Sequence, residues 1–246
     1  MDSENNINPI SIPVFSLKNA WKAFPILIVG LAITVGATYY AKIKTKEIIE
    51  RDFEYICNEI KIKIDTRIRA HAQLLRSGAA FIAASDTVTQ EEWKVYVNNL
   101  KLNRNLPGIQ GVGYSLIIPK KQLSQHIQSF RKYGFPNYNV MPVGEREIYT
   151  SIIYLEPFSG RNLRAFGYDM YSEPIRKKAM ELSRDKDFAI LSGKVLLKQE
   201  TEEDIQAGTL MYVPDFKKGM PTNTVEERRA AIKGWVYSPY RMSDLM

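Results

Sequence analysis

The feature that most constrains this chain is a run of nineteen residues without a charged side chain, between Lys22 and Lys42. At 1.5 Å per residue, a helix over Ala23–Ala41 spans about 28 Å, close to the thickness of a bilayer's hydrocarbon core. Aromatic residues stand at both ends, where membrane helices carry aromatic belts. The run therefore predicts one transmembrane helix. A cleaved signal sequence ending near Val35-Gly36-Ala37 and a buried core helix are the alternatives.

The residues that flank this run bear on its orientation. Lys18 and Lys22 precede it, whereas four basic residues follow it between Lys42 and Arg51. This asymmetry opposes export of the C-terminal part, because cytoplasmic flanks normally carry the excess of Lys and Arg. Export is still expected, since long domains cross the membrane largely regardless of flanking charge. Residues 1–22 are predicted to form an N-terminal tail, with the transmembrane helix over residues 23–41.

A long amphipathic helix is predicted directly after the membrane span, over residues 42–84. This stretch has no proline and only one glycine, Gly78. Its apolar residues recur with a mean spacing near 3.67, which is helical. The spacing does not decide whether the helix forms a homodimer or packs on its own domain. The apolar positions are 49, 53, 56, 60, 64, 68, 72, 75, 79 and 82.

Composition excludes several classes of function. The chain has two histidines, His71 and His126, and one cysteine, Cys57. They stand far apart, so no zinc site, catalytic triad or internal disulfide framework is predicted. The net charge of +7 suits an anionic partner or a generally basic surface, but no aromatic-interleaved basic stripe indicates nucleic acid. We therefore expect no enzymatic activity, no metal and no cofactor.

The remaining sequence, residues 85–246, predicts an α+β domain with antiparallel sheet, because short strand-like runs alternate irregularly with helices. A capping box at Thr89 and Glu92 starts a helix over Gln90–Asn103. A further helix is predicted over Lys120–Tyr133, and another has Ser172 as N-cap and Ile175, Ala179 and Leu182 inward. The predicted strands are Ile109–Ile118, Asn137–Val143, Ile148–Tyr154, Leu163–Tyr168, Phe188–Leu191, Lys194–Leu197, Thr209–Val213 and Gly234–Tyr237.

An ordered set of short motifs runs through this part of the chain. It includes Leu106-Pro107-Gly108, Glu156-Pro157, Gly167-x-Asp169 and Ser172-Glu173-Pro174, followed by Lys233-Gly234-Trp235-Val236. In this order the motifs resemble the CHASE domain, the extracytoplasmic sensory module of receptor histidine kinases and nucleotide cyclases. The resemblance implies a stalk helix followed by PAS-like antiparallel sheets, the membrane-distal one holding a ligand. Tyr149, Asn162, Arg176, Ala179, Arg184 and the Thr224-x-Glu226-Glu227-Arg228 run belong to the same set.

The resemblance also implies ligand-contacting positions. An arginine in such a pocket selects a carboxylate or phosphate, so Arg164 suggests an anionic small molecule. Plant cytokinin receptors of this family hold adenine with an aspartate immediately before an arginine, but Ile175 precedes Arg176 here. Adenine recognition in that manner is not expected. The predicted ligand-binding residues are Arg164, Ala165, Met170, Ser192, Val213 and Tyr237.

Together these observations predict a membrane-anchored, single-pass sensor domain of a signal-transduction receptor, such as a two-component system. Its C-terminal domain is expected to be extracytoplasmic and to bind a small molecule. After Tyr237 the sequence shows no phosphoacceptor helix, cyclase signature or second span, so the output module is expected to be lacking. The alternative from another class is a membrane-tethered structural or interaction scaffold whose sheet binds no ligand.

Overall fold

The computed structural model describes residues 20–106, 108–199 and 207–241. Most of the predicted tail and the last five residues therefore lie outside the described residues, as does nearly all of an acidic stretch predicted as a loop over Gln199–Gln206. The chain divides into two compact units, Met1–Ile62 and Lys63–Met246. The first is described only by its part of one helix, and the second contains the sheet.

Helix α1 covers Ala20–Ala84 and includes both the predicted membrane span and the predicted stalk. From Ala23 it contains a segment with a mean hydropathy of 1.7, long and apolar enough to cross a membrane, and none of that segment is buried. In the second unit, the predicted apolar stripe of α1 packs on the sheet through Leu75, Ala79 and Ile82. The stripe thus packs on its own domain at this end. Its earlier positions from Ile49 to Ile64 are exposed.

The second unit is built on one antiparallel sheet of six strands, as the α+β, PAS-like prediction requires. The strands run in the order β2-β1-β6-β5-β3, and β4 pairs with β5. The two central pairings, β1 with β6 and β5 with β6, align Gly113 and Tyr212 with the same residue, Tyr237. The strands are β1 (Val112–Pro119), β2 (Ile148–Glu156), β3 (Ile190–Leu191), β4 (Val195–Leu196), β5 (Ala207–Phe216) and β6 (Ile232–Arg241).

Five shorter α-helices are found in the described part of the chain, two of them before β1 and three between strands. The predicted capping box is confirmed, because Thr89 accepts from the Glu92 N–H at 3.2 Å while Glu92 accepts from the Thr89 N–H at 2.7 Å. The predicted helix over Gln90–Asn103 is interrupted, however, because Lys101 adopts a left-handed conformation. The helices are α2 (Gln90–Asn99), α3 (Leu102–Asn105), α4 (Leu123–Lys132), α5 (Pro174–Lys186) and α6 (Val225–Ala231).

Two predicted strands are wrong. Asn137–Val143 forms only an isolated bridge, between Met141 and Tyr168, and the first half of Leu163–Tyr168 belongs to a 3-10 helix over Gly160–Ala165. Both segments are instead joined to each other, because the Met141 N–H donates to the Gly167 carbonyl and the Asp169 N–H to the Met141 carbonyl. Tyr138 and Val140 are buried against β1 and β2, and Phe166 packs on the same cluster. Short apolar runs of this kind resemble a strand in sequence even where the chain forms a loop.

The predicted inward face of α5 is also wrong by one position. Glu173, not Ser172, is the N-cap: its carboxylate accepts from the N–H groups of Ile175 and Arg176 at 3.0 and 2.9 Å. Ile175 and Leu182 are exposed, while Ala179 is buried as predicted. The buried set, Arg176, Ala179, Met180 and Ser183, has the i, i+3, i+4, i+7 spacing of a helix face.

His71 of α1 is buried where this helix packs on the sheet. Its ring stacks on Tyr240 with 5.1 Å between centroids and an angle of 5°. Its Nε2 has no hydrogen-bond partner. Burial, with a smaller contribution from Arg67, lowers the pKa of His71 from 6.5 to about 4. The folded protein therefore holds His71 in its neutral form at physiological pH.

This geometry predicts acid destabilisation that depends on His71. Between pH 6.5 and about 4 the unfolded chain binds a proton that the folded chain excludes, so stability is complete above this window and falls through it. The loss is on the order of 3 kcal/mol for a shift of this size. His71→Phe keeps an aromatic ring on Tyr240 and should flatten the pH dependence of urea unfolding. His126, half-buried and with a pKa also lowered to about 4 by burial, contributes in the same window.

The His126→Phe variant is the comparison for this measurement, because His126 is the other histidine of the chain. It should reduce the pH dependence by a share similar to that of His71→Phe, because burial lowers the pKa of both histidines to about 4. If the slope between pH 6.5 and 4 in His71→Phe equals that of the unaltered protein, the buried neutral histidine does not explain acid sensitivity.

Candidate functional site

The sheet has two faces with different coverings, because side chains alternate along each strand. One face packs against α1 and α2 through residues such as Tyr114, Val213 and Val236. The other lies under α5, and we call it the α5 face. Trp235 Nε1 donates to the Met180 carbonyl of α5 at 2.9 Å, which fixes the helix over the sheet. The central residues of the α5 face are Gly113, Ser115, Tyr212, Trp235 and Tyr237.

The centre of the α5 face is shaped by Tyr237 and the glycine beside it. A Cβ at Gly113 would lie 2.6 Å from the Tyr237 ring and 2.7 Å from the Tyr154 carbonyl oxygen. Only glycine therefore lets the ring lie flat against β1. The Tyr212 and Tyr237 rings are 6.3 Å apart between centroids and tilted by 33°. Two phenols thus stand side by side at the middle of the sheet.

Arg176 brings a positive charge to this face. Its side chain is 4 % exposed although it lies on the first turn of α5. Nη2 donates to the Leu196 carbonyl at 2.6 Å, and Nη1 lies 3.3 Å from the Glu173 carboxylate. The guanidinium also lies 5.4 Å from the centre of the Tyr168 ring, whose centre is 4.9 Å from Lys198 Nζ. These contacts tie α5 to β4 and concentrate positive charge beside the phenols.

Burial raises the pKa of both Tyr212 and Tyr237 well above the usual value of 10. The Arg176 charge acts on both phenols in the opposite direction, as a smaller effect. Both hydroxyls are therefore neutral donors at physiological pH. Tyr212 has only a weak acceptor, the Met170 sulfur at 3.4 Å.

Among the described residues of the α5 face, three hydroxyls have no hydrogen-bond partner within the protein. Tyr237 Oη and Ser115 Oγ belong to fully buried residues, and the third is Tyr171 Oη, whose ring contacts Trp235. Buried polar groups are nearly always paired, so an orphaned hydroxyl indicates a missing water or ligand. Ser115 lies opposite Trp235, two residues from the pair formed by Gly113 and Tyr237. The orphaned groups are therefore neighbours on the same face.

The six predicted ligand-binding residues are only partly brought together. Ala165, Met170 and Tyr237 belong to one buried cluster on the α5 face. Val213 belongs to the cluster on the opposite face, because it neighbours Tyr212 in β5 and points the other way. Ser192 is buried beside β5, where its hydroxyl accepts from the Leu210 N–H at 3.0 Å. Arg164 is exposed on the 3-10 helix, so its predicted position on a strand is wrong.

The motif residues that carried the resemblance serve mainly to hold the fold. Asp169 is fully buried, and its Oδ1 accepts from the Thr150 N–H at 2.9 Å, the Thr150 hydroxyl at 2.8 Å and the Tyr171 N–H at 3.0 Å. Its Oδ2 lies 2.9 Å from Arg146 Nε, in an ion pair without hydrogen-bond alignment. All of its oxygens are thus committed to structure. This arrangement supports the interpretation of Asp169 as structural rather than catalytic.

Gly167 and Asn162 have similar structural roles. Gly167 has a φ of +81°, and a Cβ there would lie 2.3 Å from the Asn139 carbonyl oxygen. Asn162 donates to the carbonyls of Gln110 and Pro157 at 3.2 and 2.9 Å. Both residues thus serve the scaffold of this domain and say little about a ligand.

Two surface grooves lie away from the α5 face. One, of about 450 Å³, is lined by aromatic and amide side chains between Gly134 and Met141, with Phe166. The other, of about 350 Å³, lies between α2, α3 and Pro157. Neither groove is lined by any of the six predicted residues. Within residues 20–106, 108–199 and 207–241, no group of three or more His, Cys, Asp or Glu is placed to hold a metal ion.

The sequence analysis missed three residues at the centre of the α5 face: Ser115, Tyr212 and, as a buried residue, Arg176. The basic run that Arg176 forms with Lys177 and Lys178 suggests a solvated helix face, whereas Arg176 is buried. The available signal was α5 itself, where Arg176 shares the helical spacing of Ala179 and Met180. For Tyr212 the missing information was the register that places it opposite Tyr237.

Comparison with known families gives one match. The model of the CHASE domain family matches residues 86–246, which is more than half of the chain and contains the whole sheet. No curated protein matches the chain.

Proposed function

Because the chain belongs to the CHASE domain family, whose members are extracytoplasmic sensor modules of signalling receptors, we propose that it binds a small molecule on the α5 face of its sheet. The observation that carries this proposal is the pair of fully buried, unpartnered hydroxyls of Ser115 and Tyr237 on the face that also holds the buried Arg176, whose charge acts on Tyr237. A ligand would supply the partners that the protein lacks. Apolar walls with few fixed polar groups are typical of small-molecule sites.

The proposed role is binding without chemical conversion. Asp169 and Glu173, the paired carboxylates with short spacing, are engaged in the contacts that hold β2 and cap α5. We propose that the ligand's effect is conformational, so that it binds one arrangement of α5 better than another.

One contact supports transmission of such a change from α5 to α1. Arg76 of α1 donates from Nη1 to the Asp187 carboxylate at 2.8 Å and from Nη2 to the Asp187 carbonyl at 2.9 Å. Asp187 is the C-cap of α5, in a left-handed conformation. A displacement of α5 would therefore act directly on α1, which has the span predicted to cross the membrane. Amide hydrogen exchange in α1 should change when ligand binds, and comparing the rates with and without ligand measures this coupling. In an Arg76→Ala variant the ligand should no longer change the exchange rates of α1.

The domain is proposed to lie outside the cytoplasm, anchored by a single pass of α1. Alkaline phosphatase fused after Met246 should be active in cells, and a green fluorescent protein fused at the same position should be dark if exported unfolded. The reverse pair of results would contradict this orientation.

A second copy of the chain is the proposed partner of the exposed part of α1. Phe53, Ile56 and Ile60 repeat at helical spacing and are 66 %, 53 % and 51 % exposed. Cys57 is exposed and lies beside this stripe. Mild oxidation of the full chain in membranes should give a crosslinked dimer that Cys57→Ser abolishes. Monomer alone after oxidation would contradict the dimer.

The ligand proposal is tested by thermal unfolding of the full chain in detergent against a metabolite library. A rise in the melting temperature with at least one compound supports it, and a Tyr237→Phe variant should show a smaller rise at the same concentration of that compound. A second candidate, a scaffold without ligand, is favoured by the dense burial of the α5 face, where Tyr212, Trp235 and Tyr237 are fully buried. A library without any stabilising compound would favour the scaffold.

A further inference from the structure

The groups at the centre of the α5 face share one chemical property: each of them can donate a hydrogen bond. Tyr237 and Ser115 have unpartnered hydroxyls, and Tyr212 has only a sulfur acceptor at 3.4 Å. Arg176 adds guanidinium donors and a full positive charge. The hydroxyls can donate or accept, whereas the guanidinium can only donate. A ligand that contacts Arg176 together with these hydroxyls therefore supplies acceptor oxygens.

The charge of the site restricts the ligand further. Arg176 is 4 % exposed, and the carboxylate paired with it, Glu173, is 27 % exposed and lies 3.3 Å away. Lys198 contacts the Tyr168 ring that Arg176 also contacts. Two cations and one carboxylate leave a single positive charge, which matches a singly charged anion better than a dianionic phosphate.

The walls around these donors are apolar. Met170, Val195, Leu197 and Leu210 belong to the same buried cluster as the two tyrosines. An apolar wall recognises hydrocarbon or an aromatic ring, whereas a highly polar body would leave its own groups unpaired. The ligand therefore combines one carboxylate with an apolar body.

We propose that the ligand is a small hydrophobic monocarboxylic acid, whose carboxylate accepts from Arg176, Tyr237 and Tyr212 while its apolar part lies against Met170 and Leu197. This inference rests on the proposed function and adds the chemical class of its ligand. It also replaces Arg164 by Arg176 as the residue that selects the anion.

Matched acids and amides test the proposal. The full chain in detergent is unfolded thermally with benzoate, phenylacetate or butyrate, with the corresponding amides, and with inorganic phosphate. At least one acid should raise the melting temperature, while its amide and phosphate should not. Tyr237→Phe should weaken the apparent affinity for that acid about tenfold, which corresponds to the loss of one hydrogen bond to a charged group.

Tyr240→Phe is the matched control, because Tyr240 is also a fully buried tyrosine of β6 but lies on the opposite face. It should bind the acid as the unaltered protein does. Tyr237→Phe removes an unpaired group, so it should fold, and circular dichroism checks this.

Several outcomes overturn the proposal. No stabilisation by any of the three acids does so, as does equal stabilisation by an amide or equal loss of affinity in Tyr240→Phe. A neutral library compound whose binding needs Tyr237 would overturn the carboxylate class and still support the proposed function. A library and an acid panel that both fail would overturn the two proposals together.

Discussion

Asp169→Ala is expected to unfold the sheet-containing unit or to leave it close to unfolding. The substitution removes the acceptor of two N–H groups and the Thr150 hydroxyl, all of them buried, and it leaves Arg146 without its partner. Breaking a buried charge pair costs about 3–5 kcal/mol, whereas whole domains have only about 5–15 kcal/mol of stability. Urea unfolding followed by circular dichroism measures the loss.

Asp86→Ala provides the control for this measurement. Asp86 also forms an ion pair, with Lys218 at 3.2 Å, but its side chain is 94 % exposed. Exposed pairs of this kind contribute about 0–1 kcal/mol. If the two variants lose similar stability, Asp169 is not the structural centre that its contacts indicate.

Trp235→Ala is the second substitution with a large expected effect. Trp235 is fully buried between β6 and α5, and its indole contacts Tyr171 with 5.4 Å between centroids. Removing it leaves a cavity and frees the Met180 carbonyl from its hydrogen bond. Truncations of buried aromatic residues typically cost about 3–5 kcal/mol. The midpoint of urea unfolding should fall accordingly.

Trp235→Phe keeps most of the volume and loses the indole N–H, so it should cost clearly less than the alanine variant. The loss of stability in Trp235→Phe reports mainly the hydrogen bond, and the additional loss in Trp235→Ala reports the packing of the ring. A loss below about 1 kcal/mol for Trp235→Ala would mean that α5 does not depend on the sheet for its position, since such a value is typical of surface substitutions and minor contacts.

Much of the fold could be predicted because local signals and tertiary structure agree. The sequence correctly predicts the end of α1 at Ala84 and the capping box at Thr89. The apolar runs also predict strands β1, β2, β5 and β6 to within a few residues. Helix α6 has the same signal, since Thr224 and Glu227 form a second capping box. This capping box predicts a helix start in the same way as the one at Thr89, although the segment entered the predictions only through its family motif.

The candidate site was harder to predict because it depends on register. Val213 and Tyr212 are adjacent in sequence, yet one faces α1 and the other faces α5. An error of one residue in the predicted register therefore places every side chain of the strand on the wrong face of the sheet. The burial of Arg176 was also hard to predict, because a charged residue in a basic run is usually solvated. Arg176 is buried because its guanidinium contacts the Leu196 carbonyl, twenty residues away in the chain, and the Glu173 carboxylate. The spacing of residues in the sequence does not indicate the contact with Leu196.

A small molecule that binds on the α5 face should add protection on that face, whereas the opposite face holds α1. Hydrogen exchange of the full chain, measured with and without the small-molecule fraction of a bacterial extract, tests this binding mode. Added protection is expected in α5 and in strands β5 and β6, weaker in Tyr237→Phe and retained in full in Tyr240→Phe. Protection confined to the groove between Gly134 and Met141, or no change in any of these elements, would contradict this binding mode.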